Sequence, residues 1–306
     1  MKQMREVAAQ TLAVDAVTLR VIDAFRRYDI EPILLKGPSF APWLYGQNHV
    51  RFYVDTDLLV SEADDPAARR VLTALGYVAA PVPPVAVPHA TTWQQPRGGV
   101  EVDLHTRLPL TRDRVDTWRC LERHTQTMQL GRTTLRVLDD PAKALHLVIH
   151  ALQNSLSVER TNTELVLSLV VVPDEVWIEA AFLAAELGAA DAFAVGLSGL
   201  APGRALAGRI GVAPSRSIPL TVRLLAEGQA ESGASALDDL YHLAGWRARA
   251  VYVARKLFPS AGYVALTNDR SSRPIVNYMR YWRRILRKAP RALRVWYADC
   301  RHSRDS

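Results

Sequence analysis

Between Arg51 and Val60 the chain reads RFYVDTDLLV, a run of β-branched, aromatic and aliphatic residues interrupted by two aspartates one residue apart. Such a run suits a buried strand, and alternate side chains of a strand share a face. Asp55 and Asp57 therefore point one way, and Val54, Thr56 and Leu58 the other. Two carboxylates about 7 Å apart on a mostly apolar strand repel one another and resist leaving water. A solvated edge strand relieves them, and so does a cation. Any fold containing this segment has to supply one or the other.

The segment VEVDLH, from Val100 to His105, bears on that choice. Glu101, Asp103 and His105 share one face, while Val100, Val102 and Leu104 share the opposite one. Paired beside the first strand, Asp103 completes a three-carboxylate cluster, which favours the cation. Magnesium takes hard oxygen ligands, commonly one or two carboxylates plus substrate phosphates, and manganese is an alternative. Such a cluster can hold two metals at the spacing used in phosphoryl transfer. Glu101 reads as an acid around the ligands or at the surface, and His105 as either a structural histidine or a site residue.

The segment LLKGPS supplies a place for phosphate. Ile33 to Leu35 make a short strand, Gly37 a sharp turn, and Pro38 suits the first turn of a helix through SFAPWLYG. Backbone amides from Gly37 to Ser39 open that helix, where free N–H groups favour an anion. Lys36 and Arg51 can add charge to the same phosphates. The plainer readings are that Lys36 caps the strand end in solvent and that Arg51 pairs with a local acid such as Asp64.

A first helix is expected over residues 5–28, and a second over EADDPAARRVLTALGY, ending at Gly76. AAPVPPVAVP reads as a loop or edge segment, and TTWQQPRGGVEVDLHTRL as a hairpin closed near Arg97-Gly98-Gly99. From about Pro141 the periodicity is helical, with EVWIEAAFLAAELGAADAFAVGLSGL and ALDDLYHLAGWRARAVYVARKLF as single helices and breaks at 202–219 and 259–274. The expected division is an α/β domain at 1–138 and a helical domain with a basic tail at 139–306. His146 and His150 share a helix face, but HLVIH carries no third ligand at metalloprotease spacing, so packing or hydrogen bonding is the reading.

With 306 residues, 49% of them hydrophobic, the chain can bury an ordinary core. Its two cysteines, Cys120 and Cys300, are too few and too distant for a disulfide framework or a zinc site. The N-terminus carries charges where a signal peptide needs an apolar core, and LVLSLVVVP is half a membrane span, so a cytoplasmic protein without a span is expected. Net charge is +7, but Arg270 to Ser306 alone carry +9, leaving the rest at −2. Those arginines alternate with Tyr278, Tyr281, Trp282, Trp296 and Tyr297. Three readings stand for this tail: a solvated helix face, a surface for nucleic acid or a phosphorylated substrate, and a site for an anionic protein.

Taken in order, LLKGPSFAPWLYG, RFYVDTDLLV, the GY after the next helix, and VEVDLH resemble the bacterial nucleotidyltransferase family of the polymerase-beta superfamily. That family's pattern is LKG, then R-x-x-x-D-x-D-L-L-V, then V-D-L-H, and the likeness covers about residues 30–108. It implies an α+β fold in which a small mixed sheet flanked by helices is followed by an all-helical domain. It also implies magnesium-dependent transfer of a nucleoside monophosphate from a nucleoside triphosphate such as ATP. On this chain Asp55 and Asp57 would bind metal, and Asp103 would bind the second metal and help deprotonate the acceptor. Gly37 and Ser39 would contact phosphate. The chain departs from the wider superfamily at Pro38, which removes an amide donor from the turn. It departs again in RTNTELVLSL, where Glu164 stands for an aspartate common in relatives. The acceptor is left open among small metabolite, sugar, peptide, protein and transfer RNA. A catalytically degenerate member that binds nucleotide or a partner in a biosynthetic pathway is the alternative to the enzyme.

Overall fold

The computed structural model describes residues 2–46, 51–81, 89–112, 116–229, 233–267 and 273–302. Among the described residues, seven strands form one mixed sheet: β1 (Ile33–Leu34), β2 (Asp55–Leu59), β3 (Val78–Ala79), β4 (Ala90–Gln94), β5 (Glu101–His105), β6 (Thr125–Leu130) and β7 (Thr133–Leu138). Their order is β3-β4-β5-β2-β1-β7-β6, with β2 parallel to β5, β1 parallel to β7, and the other pairs antiparallel. The fold is α+β.

Helices α1 (Lys2–Arg26) and α3 (Asp65–Ala74) cover one face of the sheet. Val21, Ile22, Phe25 and Leu72 pack there against Leu58, Val102, Leu104 and Val137. The other face meets α5 (Asp140–Gln153), where Leu59 and Leu138 join Leu145, Val148 and Ile149 in a second core. Asp139 caps α5 by accepting from the Ala142 amide at 3.0 Å. Each fully buried Leu, Val or Ile of this helix contributes about 1.5–3 kcal/mol. This core continues into α6 (Glu159–Val171), α7 (Asp174–Glu186), α8 (Ala190–Ser198) and α9 (Ala201–Ile210). Apolar packing thus crosses residue 138, where the chain changes from strand to helix. The remaining helices are α2 (Phe40–Tyr45), α4 (Thr117–Leu121), α10 (Leu220–Ala226), α11 (Ala234–His242), α12 (Trp246–Leu257), α13 (Ala261–Leu266) and α14 (Pro274–His302).

Several expectations from the sequence are corrected. Strand β2 begins at Asp55 rather than near Val50, because its partner β5 begins at Glu101, opposite Asp55, and the chain before Glu101 is the hairpin turn. The turn at Lys36 leads into a short 3₁₀ turn over Gly37–Ser39 before α2 begins at Phe40. Glycines with positive φ split two expected helices, Gly188 between α7 and α8 and Gly245 between α11 and α12. Conversely, α9 and α13 form inside expected breaks. Pro202 sits in the first turn of α9, where its missing N–H costs nothing, and Ser260 caps α13 by accepting from the Tyr263 amide. The β6–β7 hairpin was not expected at all. Of the proline-rich segment, only Ala79 lies in the edge strand β3 (Val78–Ala79), and 82–88 lie outside the described residues.

Candidate active site

Parallel pairing of β2 with β5 sets Asp57 directly opposite Asp103, Asp55 opposite Glu101, and Leu59 opposite His105. Leu59 belongs to the core under α5, so the alternation turns Asp57 and Asp55 toward α5 and α6 as well. The other face of β2 faces α1, where the hydroxyls of Thr56 and Thr18 hydrogen-bond at 2.8 Å. At the end of β1 the Leu35 amide donates to the Asp57 carbonyl at 3.0 Å, which delivers the next residue, Lys36, to the acids. Its Nζ lies 3.7 Å from Asp57 Oδ1.

Asp57 is buried, and His105 Nε2 donates to the same Oδ1 at 3.1 Å. Burial pushes the Asp57 carboxyl upward, but Lys36 and then the His105 hydrogen bond outweigh it and hold it below the ordinary carboxylate range. Asp55 moves the other way: burial raises it, and the charge of Asp57 raises it further against the pull of Lys36. The positive charge of Lys36 and the His105 hydrogen bond thus serve Asp57 ahead of Asp55.

Asp57, Asp103 and His105 each bring one ligand atom within 4.8 Å of the others. Asp103 Oδ1 and His105 Nδ1 are buried with no hydrogen-bond partner among the described residues. A buried carboxylate oxygen without a donor is costly, and a divalent cation between Asp57 and Asp103 relieves it. The residues present therefore fit a metal. Hard carboxylate oxygens suit magnesium, and the imidazole also suits manganese. Asp55 lies one step along the same face. Glu101 is exposed and accepts from Gln94 Nε2 at 2.6 Å.

Arg51 and Glu164 are both buried and form a bidentate pair, Nε to Oε1 at 2.7 Å and Nη2 to Oε2 at 2.9 Å. Arg51 thus pairs across 113 residues with α6, not with Asp64, which instead accepts from the Ser61 hydroxyl. Its Nη1 reaches the Gly37 carbonyl at 3.5 Å, and its guanidinium lies over the rings of Phe40 and Tyr53. The Ser39 hydroxyl donates to the Lys36 carbonyl at 3.2 Å, closing the turn on itself. A cavity of about 50 Å³, lined by Lys36, Gly37, Asp55, His146 and Glu164 among others, opens between turn, sheet and helices. It holds one or two water-sized groups. A wider cavity of about 670 Å³ lies between Arg26, Glu31 and the β6–β7 hairpin, away from the acids.

Sequence reasoning did not find the histidine layer over the acids. His146 is buried on α5 with its ring 6.3 Å from that of His150, and the His89 ring is 5.9 Å from that of His105. Burial first, then neighbouring positive charge, drives His146 well below its ordinary value and His89 down to about 4. The spacing of His146 and His150 was the available signal; their approach to the strands was not. Both shifts make the unfolded chain the better proton binder below its own histidine value of about 6.5, so stability is full above that pH and falls below it. Each of these two histidines is expected to remove about 1 kcal/mol by one pH unit below 6.5. Urea titrations at stepped pH check this, with His146→Gln flattening the slope and an unchanged slope counting against it.

The profile of a family described as uncharacterised nucleotidyltransferase matches residues 1–194. No curated protein sequence matches the chain. Among solved structures, the antibiotic-resistance factor ANT(2'')-Ia is 11% identical, over 60% of this chain and 95% of its own, with a TM-score of 0.43. A nucleotidyltransferase-like antigenic protein from Paracoccidioides brasiliensis is 9% identical, over 67% and 94%, with a TM-score of 0.34. No helix among the described residues is long and apolar enough to cross a membrane. The profile takes in the turn at Lys36–Ser39 and both acidic strands and spans well over half of the 306 residues, so the chain belongs to this nucleotidyltransferase family.

Proposed function

We propose that the protein transfers a nucleoside monophosphate from a nucleoside triphosphate, ATP among the candidates, to an acceptor hydroxyl or amine in a magnesium-dependent reaction. The observation that carries this reading is the register of β2 against β5, which sets Asp57 opposite Asp103 beneath Lys36, with one Asp103 oxygen buried and without a partner among the described residues. Asp55, Asp57 and Asp103 would hold the metal, and His105 orients Asp57 through its hydrogen bond. Bound there, magnesium neutralises triphosphate charge and that of the departing pyrophosphate. Asp103 would take the proton of the acceptor's hydroxyl or amine as the acceptor's oxygen or nitrogen attacks the α-phosphorus in line and pyrophosphate leaves. Lys36 and the amide of Gly37 hold phosphate oxygens. Arg51, its charge matched by Glu164, braces the turn from behind through Nη1 and the Gly37 carbonyl. A cytoplasmic setting, where nucleoside triphosphates are abundant, agrees with two free cysteines. The change of architecture at 138/139 is proposed as the boundary between the nucleotidyl-transfer half and the helical half.

A second reading, nucleotide or partner binding without turnover, draws on Pro38, which lacks an amide, and on Ser39, whose hydroxyl is committed to Lys36. Incubation with α-labelled nucleoside triphosphates, magnesium and a panel of acceptors separates the two. Label transferred to an acceptor, with pyrophosphate released, is the expected result. Tight nucleotide binding with no transfer to any acceptor class supports the second reading.

A further inference from the structure

Helix α14 presents two adjoining solvent faces that neither the core nor the acidic site uses. Ile275, Met279, Trp282, Leu286, Leu293 and Tyr297 fall on one stripe of the helix, and all six are exposed, Ile275 at 74% and Leu286 at 72%. The stripe is about 33 Å long at 1.5 Å per residue. Phe258, 66% exposed, extends it through its contact with the Trp282 ring. Next to the stripe run Arg283, Arg287, Arg291 and Arg294, all exposed and none in an ion pair among the described residues. The helix is anchored on α12: the buried Tyr281 hydroxyl donates to the Lys256 carbonyl at 2.7 Å, and Trp282 Nε1, on the stripe itself, to the Leu257 carbonyl at 2.6 Å.

We propose that this face docks on an anionic lipid bilayer, with α14 lying in the headgroup plane. The aliphatic and aromatic stripe then enters the acyl boundary while the arginines meet lipid phosphates. Amphipathic interfacial helices pair an apolar stripe with a basic face in this way, and Trp and Tyr favour that depth. The chemistry weighs against other occupants. Nucleic acid accounts for the arginines but leaves Ile275, Met279, Leu286 and Leu293 without partners. A second copy brings together two segments that each carry +9 from Arg270 onward. No described helix is long and apolar enough to cross, so contact stays at the surface.

The test is sedimentation of the full chain with phosphatidylcholine vesicles, with and without a third of phosphatidylserine. Binding to the phosphatidylserine vesicles alone, weakened by salt, is expected. Arg283→Gln, Arg287→Gln and Arg291→Gln together should weaken it about fivefold per arginine. Met279→Asp with Leu286→Asp should abolish it, with Met279→Ser and Leu286→Ser as the milder pair should the acids disturb folding. Absence of vesicle binding overturns the proposal. So does vesicle binding that both stripe pairs leave unchanged. Single-stranded or duplex RNA bound through the arginines, without vesicle binding, assigns the face to nucleic acid. A dimer broken by the stripe variants, again without vesicle binding, assigns it to a second copy.

Discussion

Asp103→Asn is expected to lower nucleotidyl transfer about a thousandfold or more while leaving the unliganded protein as stable as wild type or slightly more so. Asparagine keeps the shape of the side chain and removes one negative charge from a face where Asp57 lies directly opposite. Repulsion within the acidic cluster falls, which favours the folded state. A metal ligand and the group that takes the acceptor's proton are lost together. Several kcal/mol of transition-state stabilisation go with them, and each 1.36 kcal/mol is tenfold in rate. Denaturant titration and pyrophosphate release in the presence of an active acceptor read the two effects separately. Unchanged turnover would put Asp103 outside the site, and a large loss of stability would make it a structural residue.

The Arg51–Glu164 pair produces the opposite signature. Arg51→Met leaves the Glu164 carboxylate at 3% exposure with neither of its two short hydrogen bonds. Breaking a buried pair from one side costs about 3–5 kcal/mol, because the remaining charge keeps its desolvation penalty. Replacing both partners removes that penalty, so Arg51→Met with Glu164→Leu should recover most of the loss. Such recovery in a double-mutant cycle identifies the single variant's defect as an uncompensated charge. A double variant no better than Arg51→Met alone would instead place the stabilisation in the Arg51 contacts with Phe40, Tyr53 and the Gly37 carbonyl.

What the sequence disclosed follows from the range of each interaction. The shared face of Asp55 and Asp57, and that of Glu101, Asp103 and His105, is a period-two pattern within single strands, so it is legible locally. The matching acids raised pairing of the two strands only as a condition; the pairing itself and the one-to-one register of Asp57 with Asp103 come from the fold. The partner of Arg51 was illegible because it comes from α6, 113 residues away, and no local rule selects Glu164 over the nearer Asp64. The β6–β7 hairpin left a signal in its two-residue Gly131-Arg132 turn, with Gly131 at positive φ, between threonine-rich strands. Its place beside β1 depends on a parallel pairing of Leu34 with Val137 that no local pattern encodes. Glycine splits were mistaken for helix interiors because apolar periodicity continues through Gly188 and Gly245 while the backbone turns left-handed.

The central claim is that the acids of β2 and β5 form one metal site serving a triphosphate. Anomalous diffraction from crystals soaked with manganese and a non-hydrolysable nucleoside triphosphate tests it without knowledge of the acceptor. The predicted result is a manganese peak between Asp57 and Asp103, about 2.1 Å from their carboxylate oxygens, with triphosphate oxygens completing its shell against Lys36 and Gly37. Triphosphate bound elsewhere with no metal between these aspartates, or Lys36 still seated on Asp57 with nucleotide present, would contradict it.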